Sequence, residues 1–493
     1  MQRIPGLDNG NEEIKGAGVD AQGQPFVVRS ALGNKSTPSY LGQTSSGQLL
    51  YGEDAIEHEV VFPSEVAYGW KMHLDDPTKR YFKNTASAVD VCALSIKESV
   101  RLIEKQTGDK ISGVVATVPA NFTDAQKQGL LDAFKQAGVK VYELITEPAA
   151  AAYAYSYMDR AGDGRESVIG CVDLGGGTLD VSFLRVKHGI ATPISTEGVA
   201  QLGGRDFTKL VQRILLEKVS KEIGKTITLD KLPGDQAAEL RGKAEKAKHA
   251  LSAQPSTKVA LNCGGKSRLI EVTKAEFEAA CAPLVKQMKE CMDRALKVAG
   301  VSWKDLEKLV VAGGPFHSPW LQEEVAVHTG LVPAVQIDPT NVVSFGAALH
   351  GLARARKEGG VGVFSDRPTL QEATGLDVGV GVIDETSGSR EARCAVIVPK
   401  NTPIPHTAPP FLFRLERPSQ TEVFIEILQG PEGAPASKCA RIGTIHLKGL
   451  PPEKQRTERI EITFKFDNNT LVTVTARDTI SGISHTVGVT VGK

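Results

Sequence analysis

Two short stretches of this sequence carry residue types suited to holding phosphate. Near the start, Gly6-Leu7-Asp8-Asn9-Gly10 has the form G-x-D-x-G. About 165 residues later, Val172-Asp173-Leu174-Gly175-Gly176-Gly177-Thr178 repeats the idea. In each, a strand delivers an aspartate and then a loop without bulky side chains. Glycines let backbone N–H groups approach a phosphate closely. An aspartate beside them suits a hydrated Mg2+, which prefers carboxylate and phosphate oxygens. Two such loops facing each other hold one nucleotide between two half-domains. A further glycine run, Cys263-Gly264-Gly265-Lys266-Ser267, looks like the end of a P-loop, but Ala260 stands where that pattern needs glycine. Its surroundings, TKVALNCGGKSRLIEV, read as a hairpin and not as strand–loop–helix.

The elements that must position these loops alternate up to about residue 357. GVVATVP (113–119) is a short apolar run. Thr123-Asp124-Ala125-Gln126 then reads as a capping box opening a helix that ends at Gly138. SVIGCVDLGGGTLDVSFLRV (167–186) reads as two strands around the second loop. Residues 206–224, about 233–252 and 274–300 carry helical periodicity; 308–314 is a buried strand running into glycines, and 338–357 reads as a helix. Such alternation implies an α/β domain, here residues 1–357. Residues 358–375 are polar, Gly-rich and Pro-containing and read as a linker. Residues 376–493 have period two: EVFIEIL (422–428), RIGTIHLKGL (441–450), RIEITFKF (459–466) and LVTVTAR (471–477), with turn residues such as Asp467-Asn468-Asn469 between them. That spacing predicts an antiparallel β-sandwich.

Composition bounds the partners. The chain has 493 residues, 41% hydrophobic and 24% charged, with 58 Lys+Arg against 58 Asp+Glu. A zero net charge gives no long-range field for coating nucleic acid or binding a membrane surface. No run of about 18 apolar residues is present, and the N-terminus lacks the apolar stretch of a signal peptide, so the cytoplasm is the expected compartment. Seven cysteines (Cys92, Cys171, Cys263, Cys281, Cys291, Cys394 and Cys439) contain no C-x-x-C and read as buried reduced thiols.

With these motifs in hand, the sequence resembles the seventy-kilodalton heat-shock chaperones from Gly6 to about Val491. VDLGGGTLDVS (172–182) is similar to that family's second phosphate signature. VPANFTDAQKQ (118–128), ITEPAAAAYAY (145–155), QLGGRDF (201–207), EKAKHALS (245–252), VVAGGPFHSPWLQ (310–322), DPTNVVSFGAA (338–348) and VPKNTPIPH (398–406) follow in family order. The resemblance implies an actin-like nucleotide-binding domain followed by a β-sandwich holding extended peptide. It implies ATP/ADP and Mg2+ as cofactors. It assigns catalytic roles to Lys71, Glu147, Asp173 and Thr178, with Asp8 and Asp173 near the Mg2+, through water. Gly10, Asn11, Gly175, Gly176, Gly177, Gly203 and Gly204 fall at the phosphates. Glu245, Lys248 and Ser252 form an adenosine clamp, and Gly313, Gly314 and His317 lie by the nucleoside. Pro119 matches a proline that relays nucleotide state. Implied partners are unfolded or nascent polypeptides, a J-domain co-chaperone and a nucleotide exchange factor.

The sequence also departs from that family. Gly10-Asn11-Glu12 replaces a glycine and two threonines, putting a carboxylate near the phosphates; at ~4 Å such repulsion is roughly 1 kcal/mol in water and ~4 at an effective dielectric of 20. The adenine loop reads Gly313-Gly314-Pro315-Phe316-His317 without the usual arginine, so stacking passes to Phe316 or a histidine (His317, or His249, where some relatives have arginine). The linker Pro368-Thr369-Leu370-Gln371-Glu372 keeps one leucine of a leucine run, which puts interdomain coupling in doubt. No helical lid follows the β domain within the sequence. The expectation is a slow ATP-dependent chaperone. The alternative is a lidless, ribosome-associated type of scaffold that binds nucleotide without hydrolysing it. A small-molecule kinase on the same fold is disfavoured by the C-terminal β domain.

Overall fold

A computed structural model describes residues 4–120, 122–158, 166–187, 190–263, 266–358, 369–383, 391–467 and 472–488. The Gly264-Gly265 turn, linker residues 359–368 and the Asn468-Asn469 turn lie outside them.

Two mixed sheets build the α/β part. In the first, the parallel strands Lys140–Thr146, Gly113–Val118 and Gly6–Asn9 continue into the antiparallel strands Glu13–Val19 and Pro25–Val28. In the second, Leu306–Ala312 runs parallel to Ser167–Leu174, which is followed by antiparallel Leu179–Lys187 and Ile190–Val199. Each phosphate loop thus follows a strand lying inside its sheet. Helices Glu147–Met158 and Val342–Glu358 pack together beside both sheets. Small residues make this possible: Gly346 lies against the Ala150 backbone, and Gly6 against Ser344 and Ala348. The helix EPAAAAYAYSYM is buried from Pro148 to Tyr157, as expected for an element apolar all round.

Local chemistry sets the element ends. Thr123 and Gln126 form both bonds of the capping box that opens helix Asp124–Ala137, and Gly138 closes it at φ 74°. The helix expected over 338–357 starts later, at Val342. Asp338 folds back to accept from the Thr340 backbone N–H (3.0 Å), and its carbonyl receives Asn341 and Val342. Ser256–Cys263 and Lys266–Thr273 pair as the expected hairpin.

The all-β part is a sandwich of two antiparallel sheets. One orders Ala392–Val398, Val378–Ile383, Glu422–Gln429 and Ala440–Lys448. The other joins Phe411–Arg414 and His406–Thr407 to Glu458–Phe466, Val472–Asp478 and Ser484–Gly488. The period-two residues Ile425, Ile427, Ile445, Leu447, Ile460, Ile462, Phe464, Val472 and Val474 fill one shared core. Within it Arg459 and Asp478, 1% and 0% exposed, form a two-pronged pair at 2.6 and 2.7 Å.

The last part of the expected linker is built into the structure. Thr369–Leu370 forms a strand parallel to the start of Ile190–Val199. Leu370 is buried, and the Gln371 N–H donates to Ala191 O at 2.9 Å. Glu372 accepts from the Thr146 backbone N–H (2.8 Å) while its own carbonyl receives Ile404. Lys400 pairs with Glu197 at 2.7 Å and Gln429 donates to Asp124 at 3.0 Å, so the sandwich touches the α/β part at several points. A single leucine is therefore enough to seat this segment.

Candidate functional site

The first loop, Gly10–Glu12, joins two antiparallel strands whose register places Lys15 directly opposite Asp8. Asp8 is 4% exposed; its carboxylate meets Lys15 Nζ at 3.5 Å and accepts from Thr117 Oγ1 at 3.1 Å. The second loop is tied shut by the Gly175 N–H donating to Thr178 O (2.9 Å). Gly204 and Arg205 at the N-terminus of helix Gly204–Ile223 donate their N–H groups to the Gly175 and Gly176 carbonyls, both at 2.9 Å. Gly313, at φ 95°, lies so close to Leu174 O that a β-carbon there would collide with it.

These elements enclose a cleft of about 850 Å3, within the range of small-ligand sites. Every residue expected at the site lines it except Gly203 and Phe316. Gly203 packs behind the cleft wall against the Gly176 and Gly177 backbone, with no room for a side chain.

Charges converge on the cleft floor. Lys71, on the short helical turn Trp70–His73, is 2% exposed and donates to Glu147 Oε1 at 2.5 Å. Burial raises the Glu147 carboxyl; the Lys71 ammonium pulls it back and Asp8 pushes it up again. Asp173 is lifted well above the usual carboxylate range by burial first, then by Glu147, Asp180 and Asp8. Burial pulls the Lys15 ammonium down, but Asp8, Glu13, Asp173 and Glu147 more than offset it and hold Lys15 above its ordinary value. Fully ionised, Asp8, Glu147 and Asp173 would outnumber Lys15 and Lys71 by one charge, and the raised Glu147 and Asp173 carboxyls are the response to that crowding.

The opposite wall differs in character. Lys248 donates to Thr208 Oγ1 (2.9 Å) and to Gly204 O (3.2 Å), with Glu245 at 3.9 Å. Burial lowers the Lys248 ammonium and, with help from Lys248, the His249 imidazole. His317 lies at the rim, its Nε2 2.7 Å from Thr340 Oγ1 and its side chain 55% exposed. Phe316 does not face the cleft: it is fully buried in the core beneath it. Of the groups expected to replace the missing arginine, only His249 and His317 reach the cavity.

Of the lining residues that were not anticipated, two bear directly on the phosphate loops. Lys15 is one. The other is Arg205, which pairs with the Glu12 carboxylate and donates Nη2 to Asn11 O at 2.8 Å. The carboxylate expected to oppose phosphate thus has a counter-ion. Glu12 and Asn11 also lie directly on Gly176 and Gly177, so the two phosphate loops touch. Further up, Arg241 pairs with Glu59 and donates to Tyr68 Oη at 3.0 Å, and Lys35 meets Asp338 at 2.9 Å. These bridges span the two sides of the cleft.

Among the described residues no helix is long and apolar enough to cross a membrane. The family model for Hsp70 protein matches residues 76–493. The chain is also 33% identical, over 503 aligned positions, to the chaperone protein DnaK of Picrophilus torridus; the match covers 99% of this chain and 78% of that protein. Loops, cleft and comparisons agree, and the chain belongs to the Hsp70 family.

Proposed function

We propose that this chain is an Hsp70-type chaperone that binds Mg2+-ATP in the cleft, hydrolyses it slowly and holds extended segments of unfolded polypeptide on its β-sandwich. The buried Lys71–Glu147 pair, facing both phosphate loops, is the observation that carries the reading. An ammonium that is 2% exposed and fixed by one carboxylate is an expensive arrangement unless a charged ligand uses it.

The donor set fits Mg2+. Asp8, Asp173 and Glu147 offer hard oxygens, and a divalent cation beside them would favour their charged forms. Among the described residues no three acidic, His or Cys side chains converge closely enough to coordinate an ion directly. The fit is therefore to a cation that keeps water between itself and the protein. Bound there, it supplies charge neutralisation for the transferring phosphoryl group. Lys71 faces the same charge as a fixed cation. Glu147 holds Lys71 in place, and with its carboxyl raised by burial it is suited to accept a proton from an attacking water. Thr178, 7% exposed, presents a hydroxyl beside the loop amides. Glu245, Lys248, Ser252, Gly313 and Gly314 enclose the nucleoside end.

On the sandwich, strand Phe411–Arg414 pairs with Glu458–Phe466 and, among the described strands, with no other. Its Phe411 and Leu412 are 41% and 48% exposed. An open edge with apolar side chains suits an extended chain, through main-chain hydrogen bonds and alternating pockets. The proposed division is residues 1–357, 358–375 and 376–493, working in the cytoplasm with a J-domain protein and an exchange factor.

Single-turnover hydrolysis of Mg2+-ATP, with calorimetry alongside, tests this for wild type and Lys71→Met. Tight binding with hydrolysis that falls at least ~100-fold in the variant supports it. Tight binding without hydrolysis in wild type removes the ATPase, and no binding removes the whole reading.

A further inference from the structure

The sequence offers no C-x-x-C, but the fold brings two distant thiols together. Cys394 lies on strand Ala392–Val398 and is 1% exposed. Cys439 follows the turn Ala436–Lys438, at the start of strand Ala440–Lys448, and is partly exposed. Both sulfurs meet at Gly430. Cys394 Sγ lies 3.5 Å from Gly430 O. Cys439 Sγ fills the space where a Gly430 side chain would stand, 2.5 Å from an ideal β-carbon position. Any other residue at 430 would drive the thiol out. Cys439 is close enough to reinforce the effect of burial on the Cys394 thiol.

This juxtaposition is built and not incidental. The turn between Glu422–Gln429 and Ala440–Lys448 folds back along the Cys394 strand. The Cys394 N–H donates to Ala434 O and its carbonyl receives the Gly433 N–H, both at 2.9 Å. Arg393 Nη1 donates to Gly433 O at 2.8 Å, and the Val396 N–H donates to a Glu432 carboxylate oxygen at 2.6 Å. These bonds fix the turn's register on the strand, and with it the approach of Cys439 to Cys394. By contrast Cys92, Cys171, Cys281 and Cys291 are all buried.

We propose that Cys394 and Cys439 are a redox modification site that closes to a disulfide with hydrogen peroxide as oxidant. Cys439, the exposed partner, reacts first: its sulfur attacks peroxide, the O–O bond breaks, and a sulfenic acid and one water form. Cys394 then attacks that sulfur. The S–S bond forms, the S–O bond breaks, and the departing hydroxide leaves as a second water with the Cys394 proton. Two electrons, one from each sulfur, reduce one peroxide to two waters. A dithiol reverses the step by exchange. Burial, reinforced by Cys439, holds the Cys394 thiol up at about 12, which suits it to wait as the resolving partner and not to react with peroxide itself. The cross-link would staple the 430–439 turn to the strand.

The test is peptide mapping without reductant on the full chain, before and after hydrogen peroxide. The expected result is a Cys394–Cys439 linked peptide that disappears with dithiothreitol and is absent from Cys394→Ser and Cys439→Ser. The closed form should melt several degrees higher than the reduced form. In Cys394→Ser, Cys439 should proceed to sulfinic acid, since its partner is gone. Recovery of Cys439 as free thiol or sulfinic acid in the wild type, or linkage between two chains through Cys439, overturns the proposal. Near-ultraviolet circular dichroism of each serine variant shows that it is folded, so loss of the link reports chemistry.

Discussion

Glu12→Gln should tighten nucleotide binding, and Arg205→Gln should weaken it. Glu12 lies on Gly176 and pairs with Arg205, the two side chains being 22% and 27% exposed. A phosphate held by the second-loop amides would stand roughly 5 Å from that carboxylate. Two unit charges at ~5 Å interact by about 3 kcal/mol at an effective dielectric of 20 and below ~1 in water. Partial exposure sets the value between these limits, and Arg205, paired with the carboxylate, cancels about half. The net repulsion is then on the order of 1–2 kcal/mol, or about 5–30-fold in affinity. Glu12→Gln removes it and frees Arg205 to face phosphate; Arg205→Gln leaves Glu12 bare. The double variant should return close to wild type. Calorimetry with Mg2+-ATP and Mg2+-ADP on all four proteins decides the matter, and the effect should be larger for the triphosphate and shrink at high salt. If both single variants move affinity in the same direction, the pair acts only on structure and the electrostatic reasoning is refuted.

Three further outcomes follow from other parts of the molecule. Burial lifts the Glu372 carboxyl from 4.5 to about 7, with Thr146 and His350 opposing and Glu143 adding to the rise. The folded state therefore holds a proton that the free segment gives up, so seating of residues 369–375 is strongest below pH 4.5 and is lost as pH rises through 7, by at most about 3 kcal/mol. Hydrogen exchange at 369–375, corrected for intrinsic rates, should show faster opening at pH 8 than at pH 5.5, and Glu372→Gln should flatten that difference. Arg459→Met strands the Asp478 carboxylate, which Arg459 and Ser481 hold well below its usual range; about 3–5 kcal/mol of sandwich stability should be lost by urea melt, with much of it restored in Arg459→Met with Asp478→Leu. Gly313→Ala should abolish ATP binding by driving a methyl into Leu174 O at positive φ, whereas Gly314→Ala, with open space at its β-carbon, should bind within about threefold of wild type.

Much of the site was legible because its signals are local. The run Val172–Thr178 combines a buried strand, an acid and three glycines, and the acid and the glycines line the cleft. Glu147, Lys71 and the 245–252 face could be placed only by resemblance, since a lone charged residue reads as a solvated face. Lys15 went unrecognised for that reason; only the strand register across the Gly10–Glu12 loop shows that it stands opposite Asp8. Arg205 was invisible in principle: its partners Asn11 and Glu12 are nearly two hundred positions away. Phe316 misled because an aromatic beside a glycine loop suggests stacking, whereas the turn Gly314–His317 points it into the core and leaves His317 at the rim. The Cys394–Cys439 approach depends on a turn folding back over a neighbouring strand, which no spacing rule contains.

The strand Thr369–Leu370 has a mechanical meaning. It is two residues long and held to Ile190 and Ala191 by a short parallel ladder, extended by Gln371 onto Ala191 O. At about 1 kcal/mol net per hydrogen bond, this seam is far weaker than either core. Tension on a segment gripped by the sandwich would travel along the chain to this point. It would part here first, leaving both sheets intact, and re-form when the pull ended. Under the proposed function, this segment would act as a fuse in the load path and bound the force passed between the sandwich and the α/β part.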